Sequence, residues 1–235
     1  MLFVHFAALA LRFRIICAGK VWPCADVRSK DWRPKVAEEA QTVEELADAA
    51  LRRKDALKKL ADELAGASRR NRQSAASAFA IVARTNPERA AIHVDALVDA
   101  LNRPEAQTRW ECLDALTEVV AVDTRSCEKA IPGAETSLFD EENGPVRLAA
   151  MQFLCRLGAT TENRSEKVWS LIDEAIQCYH GDAEFQDMLN AVIGFSEGKL
   201  SKDVKKQLKA RMSFDATNGK GMLQKRAAQI VKNCK

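Results

Sequence analysis

The chain has 235 residues, 47% hydrophobic and 29% charged, with 10 Gly, 6 Pro and a formal net charge of +3. That balance excludes a disordered chain, and the length suits one sizeable solenoid or two small domains. Helix formers (Ala, Leu, Glu, Lys, Arg) dominate, and no alternating β-branched run is bounded by Asn-Gly or Asp-Gly turns, so the chain reads as all-α.

The small net charge conceals an asymmetry. Residues 1–36 carry +5, residues 37–66 carry −3, residues 67–198 carry −8 and residues 199–235 carry +9. An acidic body with a basic C-terminal cap says something about partners and nothing about fold. Seven cysteines without paired spacing fit a reducing cytoplasm better than a disulfide framework. Cys112, Cys155 and Cys178 fall inside helical patterns and read as small buried thiols.

Residues 1–18 are apolar, but no basic residue precedes them, Arg12 and Arg14 interrupt them, and they are too short to span a membrane. Cys17-Ala18-Gly19 is a weak cleavage signal. Residues 1–36 therefore read as a poorly ordered lead-in with three open explanations. These are a start assigned upstream of a true one near Val36, a weak signal or tether, and a packed helix. Helical sequence is expected from Lys35–Glu38 onward, so residues 37–235 form the folded body.

Thr42-Val43-Glu44-Glu45 has the form of a capping box, and it opens a helix expected to end at Gly66, its apolar stripe broken at Arg53. Residues 70–84 present Ala75, Ala78, Phe79 and Val82 on one side. Asn86-Pro87-Glu88 supplies an N-cap, a first-turn proline and an acid to a helix carrying Ala91, Val94, Leu97, Val98 and Leu101. Pro104-Glu105 begins the following helix, expected to reach Val122.

Arg72, Arg109, Arg147, Gln186 and Lys225 recur at gaps of 37, 38, 39 and 39, each opening a segment of apolar residues at helical spacing. A period near 40 with two helices per unit predicts stacked hairpins that bury their apolar faces on one another. Ala130-Ile131-Pro132-Gly133, then Leu138, then Asp140-Glu141-Glu142-Asn143-Gly144-Pro145-Val146-Arg147 resembles the HEAT-repeat unit. In that family a proline-bearing A helix, an acidic loop and a Val-Arg step open the B helix. Residues 95–109 are a looser copy, and the likeness extends over about residues 70–233. The resemblance implies a right-handed α-solenoid of about four to five hairpins and a scaffold that binds a protein or peptide on its inner face. It also implies that arginines such as Arg109 and Arg147 bond loop acids of the adjacent unit, Asp140 among them. The competing reading has them gripping a partner's acidic groups.

Beside the apolar stripes, Asp114, Glu118, Gln152 and Arg156 are candidate contacts. Trp110 and Asp114, at i and i+4, share one helix face. Their Trp-x-x-x-Asp spacing resembles that of alkylpurine DNA glycosylases built from helical repeats. There Trp110 would wall the pocket and Asp114 would stabilise a cationic sugar. The −8 of the core argues against a phosphate backbone as its partner. Lys202, Lys205, Lys206, Lys209 and Arg211 form a basic stripe opposite Val204, Leu208 and Met212, which suits a solvated cap or a patch for nucleic acid, an acidic partner or an anionic membrane. His5, His93 and His180 lack companions at ligand spacing, so neither a metal nor another cofactor is expected. Gly219-Lys220-Gly221 reads as a turn. The whole reads as a non-enzymatic, cytoplasmic scaffold without an integral membrane span.

Overall fold

The computed structural model describes residues 41–235; the expectations for residues 1–36 and the helical start at Lys35–Glu38 lie outside them. Helix formation begins with the capping box. The Thr42 hydroxyl accepts from the Glu45 amide at 3.2 Å, and the Glu45 carboxylate accepts from the Thr42 amide at 3.0 Å.

Five hairpins follow, each with an A side and a B helix. The A sides are α1 and α2 (Val43–Arg52, Lys54–Leu64), α4 and α5 (Pro87–Ala91, Val94–Ala100), α7 and α8 (Thr124–Cys127, Ile131–Leu138), α10 (Glu162–Cys178) and α12 (Lys202–Asn218). The B helices are α3 (Arg69–Thr85), α6 (Ala106–Val119), α9 (Gly144–Gly158), α11 (Phe185–Ser196) and α13 (Gly221–Asn233). Residues Gln41–Lys235 make an all-α solenoid with one continuous buried core from Ala47 to Cys234. Neighbouring B helices pack intimately while neighbouring A helices touch lightly, so the stack curves toward the B row.

The first three A sides are broken where the sequence suggested single helices. At Arg53 the backbone is extended, φ −124° and ψ 135°. A continuous helix would place Arg53 or Lys54 on the buried stripe between Ala50 and Leu57; the break turns both to solvent. A tight turn at Ile92–His93, closed by the His93 amide on the Ala90 carbonyl, divides the second A side. In the third, a 3₁₀ turn (Glu128–Ala130) precedes α8, where Pro132 has no N–H to extend the preceding ladder.

The helix after Pro104 starts at Ala106 and ends at Val119, three residues short of the expected Val122. Glu105 occupies its N-cap position without capping, because its carboxylate is drawn to Arg72. Cys112 and Cys155 are buried as expected, but Cys178 is exposed. It ends α10 two positions beyond the Ala175–Ile176 stripe, on the side open to water. Gly158 sets how closely α9 meets its neighbours: an added Cβ would lie 2.5 Å from Val168 and 2.8 Å from Phe195.

A row of polar contacts ties successive B helices. Arg72 at the start of α3 forks onto Glu105 and donates to the Gly66 and Ala67 carbonyls at 2.7 and 2.9 Å. Arg109 donates to Asp140 at 2.7 Å. Arg147 donates to Glu184 at 2.7 Å and to the Asp140 carbonyl at 2.9 Å, with its guanidinium 4.9 Å from the Tyr179 ring centre. At the last junction Gln186 accepts from Arg226, so the neighbour of the expected Lys225 makes the rung. Burial pushes the Asp140 carboxyl up. Hydrogen bonds from Asn143, Arg109 and the Glu142 and Asn143 amides outweigh that and hold it at about 2.

Candidate partner-binding face

The ladder engages Arg147 through several donors and Arg109 through one nitrogen, the Arg109 Nε being buried without a partner, and the two side chains are only 12% and 13% exposed. That matches the stacking reading and removes both from the set of groups free to meet a partner. The remaining B-row candidates are Trp110, Asp114 and Glu118 on α6 and Gln152 and Arg156 on α9. Trp110, Asp114 and Gln152 are half-buried, whereas Glu118 and Arg156 are exposed. Helical geometry explains the α6 set, since i, i+4 and i+8 stay on one side while Cys112, Leu113, Ala115, Leu116 and Val119 fill the core.

Glu111 joins this set although the sequence reading passed over it. Its carboxylate accepts from the Ser77 hydroxyl at 3.0 Å, and that hydroxyl accepts from the Gln107 amide at 3.2 Å, linking α3 to α6. The signal was present: Glu111, Asp114 and Glu118 stand at i, i+3 and i+7, one-face spacing for a helix. Burial first, then Glu111, pushes the Asp114 carboxyl up; Arg84 draws it down, Glu118 adds to the rise, and it sits at about 6. Ionised at neutral pH, Asp114 has no hydrogen-bond donor among the described side chains, so its charge is met only by nearby Arg84.

Beyond Gln152 the face opens into a hollow between the C-terminal ends of α6, α9 and α11, of about 340 Å³. Ala121, Thr124, Arg156, Thr160, Gly194 and Glu197 help to line it. Gly194 leaves open space where any other residue would project. Along the B row, Glu111, Asp114, Glu118 and Glu197 thus stand against Arg84 and Arg156. This arrangement can cradle an extended segment carrying cations. A glycosylase needs the opposite field, because Glu111 and Glu118 flank Asp114 and repel a phosphate backbone.

In the basic cap, Lys202, Lys206 and Lys209 are exposed and Lys205 is half-buried. Arg211 is engaged: its guanidinium forks onto Asp173 of α10 at 2.6 and 2.9 Å. It belongs to stacking and not to a free patch. Among the described residues no group of His, Cys, Asp and Glu could hold a metal ion, and no helix is long and apolar enough to cross a membrane.

No protein-family model matches the chain, and no curated protein matches it. Solved structures do. An engineered protein is 16% identical with a TM-score of 0.64, covering 82% of this chain and 88% of its own. A designed armadillo repeat protein, solved in complex with the peptide (KR)4, is 15% identical with a TM-score of 0.65, covering 82% and 91%. The archaeal HEAT-like repeats protein from Thermococcus onnurineus NA1 is 14% identical with a TM-score of 0.52, covering 82% and 92%. At these identities the likeness is one of fold, and the fold is the HEAT/armadillo-type helical repeat.

Proposed function

We propose that this protein is a non-enzymatic scaffold whose B-helix face holds an extended, Lys- or Arg-containing segment of a partner protein. The observation that carries this reading is the grouping of Trp110 with Glu111, Asp114 and Glu118 on the side of α6 away from the core, where Asp114 meets only Arg84. An aromatic face and carboxylates together suit an ammonium or guanidinium on an aliphatic stem. Gln152, which can donate and accept, is placed to pair with the segment's main chain. The designed armadillo protein solved with (KR)4 lends support, as it has the same fold and a peptide of this charge. The five cysteines among the described residues are free and four of them are buried, which favours a reducing compartment such as the cytoplasm.

The test is fluorescence anisotropy with a labelled alternating Lys-Arg octapeptide. Trp110→Ala and the pair Asp114→Asn with Glu118→Gln should each weaken binding about tenfold. Asp99→Asn with Glu135→Gln, exposed carboxylates on the A side, should leave it unchanged. Equal loss from both pairs would reduce the effect to net charge, and no loss from the α6 variants would reject the face.

A further inference from the structure

The last hairpin carries a feature that the B-row reading does not use. Among the described residues the large hydrophobics left exposed are Ile92, Val122, Phe214 and Met222. Two of the four belong to α12 and α13. Phe214 is 72% exposed and Met222 is 54% exposed. Because α12 and α13 form an antiparallel pair joined by a short turn at Gly219–Lys220, a residue near the end of α12 and one at the start of α13 lie at the same end of the hairpin. Phe214 points away from the stripe of Val204, Leu208 and Met212 that faces the core.

The cations along this hairpin divide cleanly by type. Arg211 is spent on Asp173 and Arg226 on Gln186. Lys202, Lys206, Lys209, Lys220, Lys225 and Lys232 are exposed and make no ion pair or side-chain hydrogen bond among the described residues. The free charge is thus entirely ammonium. Lysine is a compact, strongly hydrated point charge without the planar fork that reads a particular carboxylate, phosphate or base edge. Such charges suit a diffuse anionic surface. The hydrophobics protrude and line no groove, as insertion residues do. A second aromatic for stacking successive bases is not near them, since Phe214 is the single aromatic residue in 199–235.

We infer that the α12–α13 hairpin is a docking surface for anionic lipid membranes, with Phe214 and Met222 entering the interface and the free lysines meeting the headgroups. Charge complementarity argues for that occupant: residues 199–235 carry +9, whereas residues 67–198 carry −8 and residues 37–66 carry −3. An anionic surface attracts the cap and repels the acidic stretch 37–198, so the solenoid docks by its last hairpin and the B row stays open to its own partner.

The experiment is co-sedimentation of the full chain with vesicles of phosphatidylcholine alone, or with roughly one-third phosphatidylglycerol. Binding should require the anionic lipid and fall at least tenfold, roughly, as salt rises from about 0.1 M to about 0.5 M. The triple variant Lys206→Glu, Lys209→Glu, Lys225→Glu should lower partitioning by about tenfold or more, and Phe214→Ala with Met222→Ala by about tenfold. These side chains are exposed, so an unchanged circular-dichroism melt will separate lost docking from lost folding. Absence of binding to the anionic vesicles, or binding retained by the lysine variant, overturns the proposal. So does tighter binding to a short DNA duplex that is indifferent to Phe214, which would make the cap a nucleic-acid surface.

Discussion

The first three repeat junctions and the last one use the same register of the sequence for different chemistry. Arg72–Glu105, Arg109–Asp140 and Arg147–Glu184 are guanidinium–carboxylate pairs whose side chains are all between 6% and 13% exposed. The last rung is an amide oxygen meeting Arg226, joined on the B side by Asn233 donating to Ser196 at 2.9 Å, and further polar contacts come from the A side. There Trp169 donates to Gln207 at 2.8 Å, the Ser201 amide donates to Ser165 at 3.1 Å, and Arg211 forks onto Asp173 at 25–35% exposure. Those three ion pairs are dry, so breaking one strands a charge. The Arg211–Asp173 pair is more solvated and worth less. A periodic sequence therefore need not give periodic energetics.

The comparison breaks most visibly at Arg147. Arg147→Ala strands Glu184 and frees the Asp140 and Glu141 carbonyls at once. We expect a loss of about 3–5 kcal/mol, read from urea denaturation. A loss below about 1 kcal/mol would show that the interior rungs are no stronger than the terminal one. Acid should act on the same row next. Asp140 is held at about 2, below its ordinary value of 3.8, so its contribution is present above that ordinary value and disappears as pH falls through the interval between them. The amount is about 2 kcal/mol, and Asp140→Asn should flatten that part of the stability-against-pH curve.

Asp114 has the opposite sign. Its carboxyl is raised from 3.8 to about 6, so the fold favours the protonated form, and stability is lost as pH rises between those values. Because the side chain is partly solvated, the cost at neutral pH is about 1 kcal/mol after allowance for screening. Asp114→Asn should raise the melting temperature at pH 7 while weakening capture of a cationic peptide, the pattern expected where function is held against stability. An unchanged or lowered melting temperature would mean that Arg84 already neutralises the carboxylate.

Much of the stacking was legible because its signals are local and periodic. The recurring basic or amide position marked each B helix, and the family resemblance offered Asp140 as a loop acid for the row without saying which arginine it meets. Other rungs were harder to read because the acid's offset varies. Glu105 and Glu184 immediately precede their helices, whereas Asp140 lies four residues ahead of α9. The breaks in the A sides were only partly legible: Arg53 interrupts the first apolar stripe and Pro132 the third A side, whereas nothing at Ile92–His93 forbids helix. At the site, i, i+4 spacing was enough to place Trp110 beside Asp114. The elevated carboxyl was not legible, since it depends first on burial, which a one-face spacing of acids does not reveal, with Glu111 and Glu118 adding to it against the pull of Arg84. Arg211 was read as free for the same reason: its partner Asp173 lies 38 residues away, across a repeat.

The smallest effect tests the terminal side of the comparison. Arg226→Ala removes a single half-buried bond to Gln186, an acceptor that water can satisfy once the guanidinium is gone. The expected loss is about 0.5–1 kcal/mol. The same loose tethering predicts that amide hydrogens of α12 and α13 exchange before those of α6 and α9. Hydrogen-exchange mass spectrometry resolves the two groups. If α13 is as protected as α9, the terminal hairpin is held as firmly as the interior, and the change in rung chemistry has no energetic consequence.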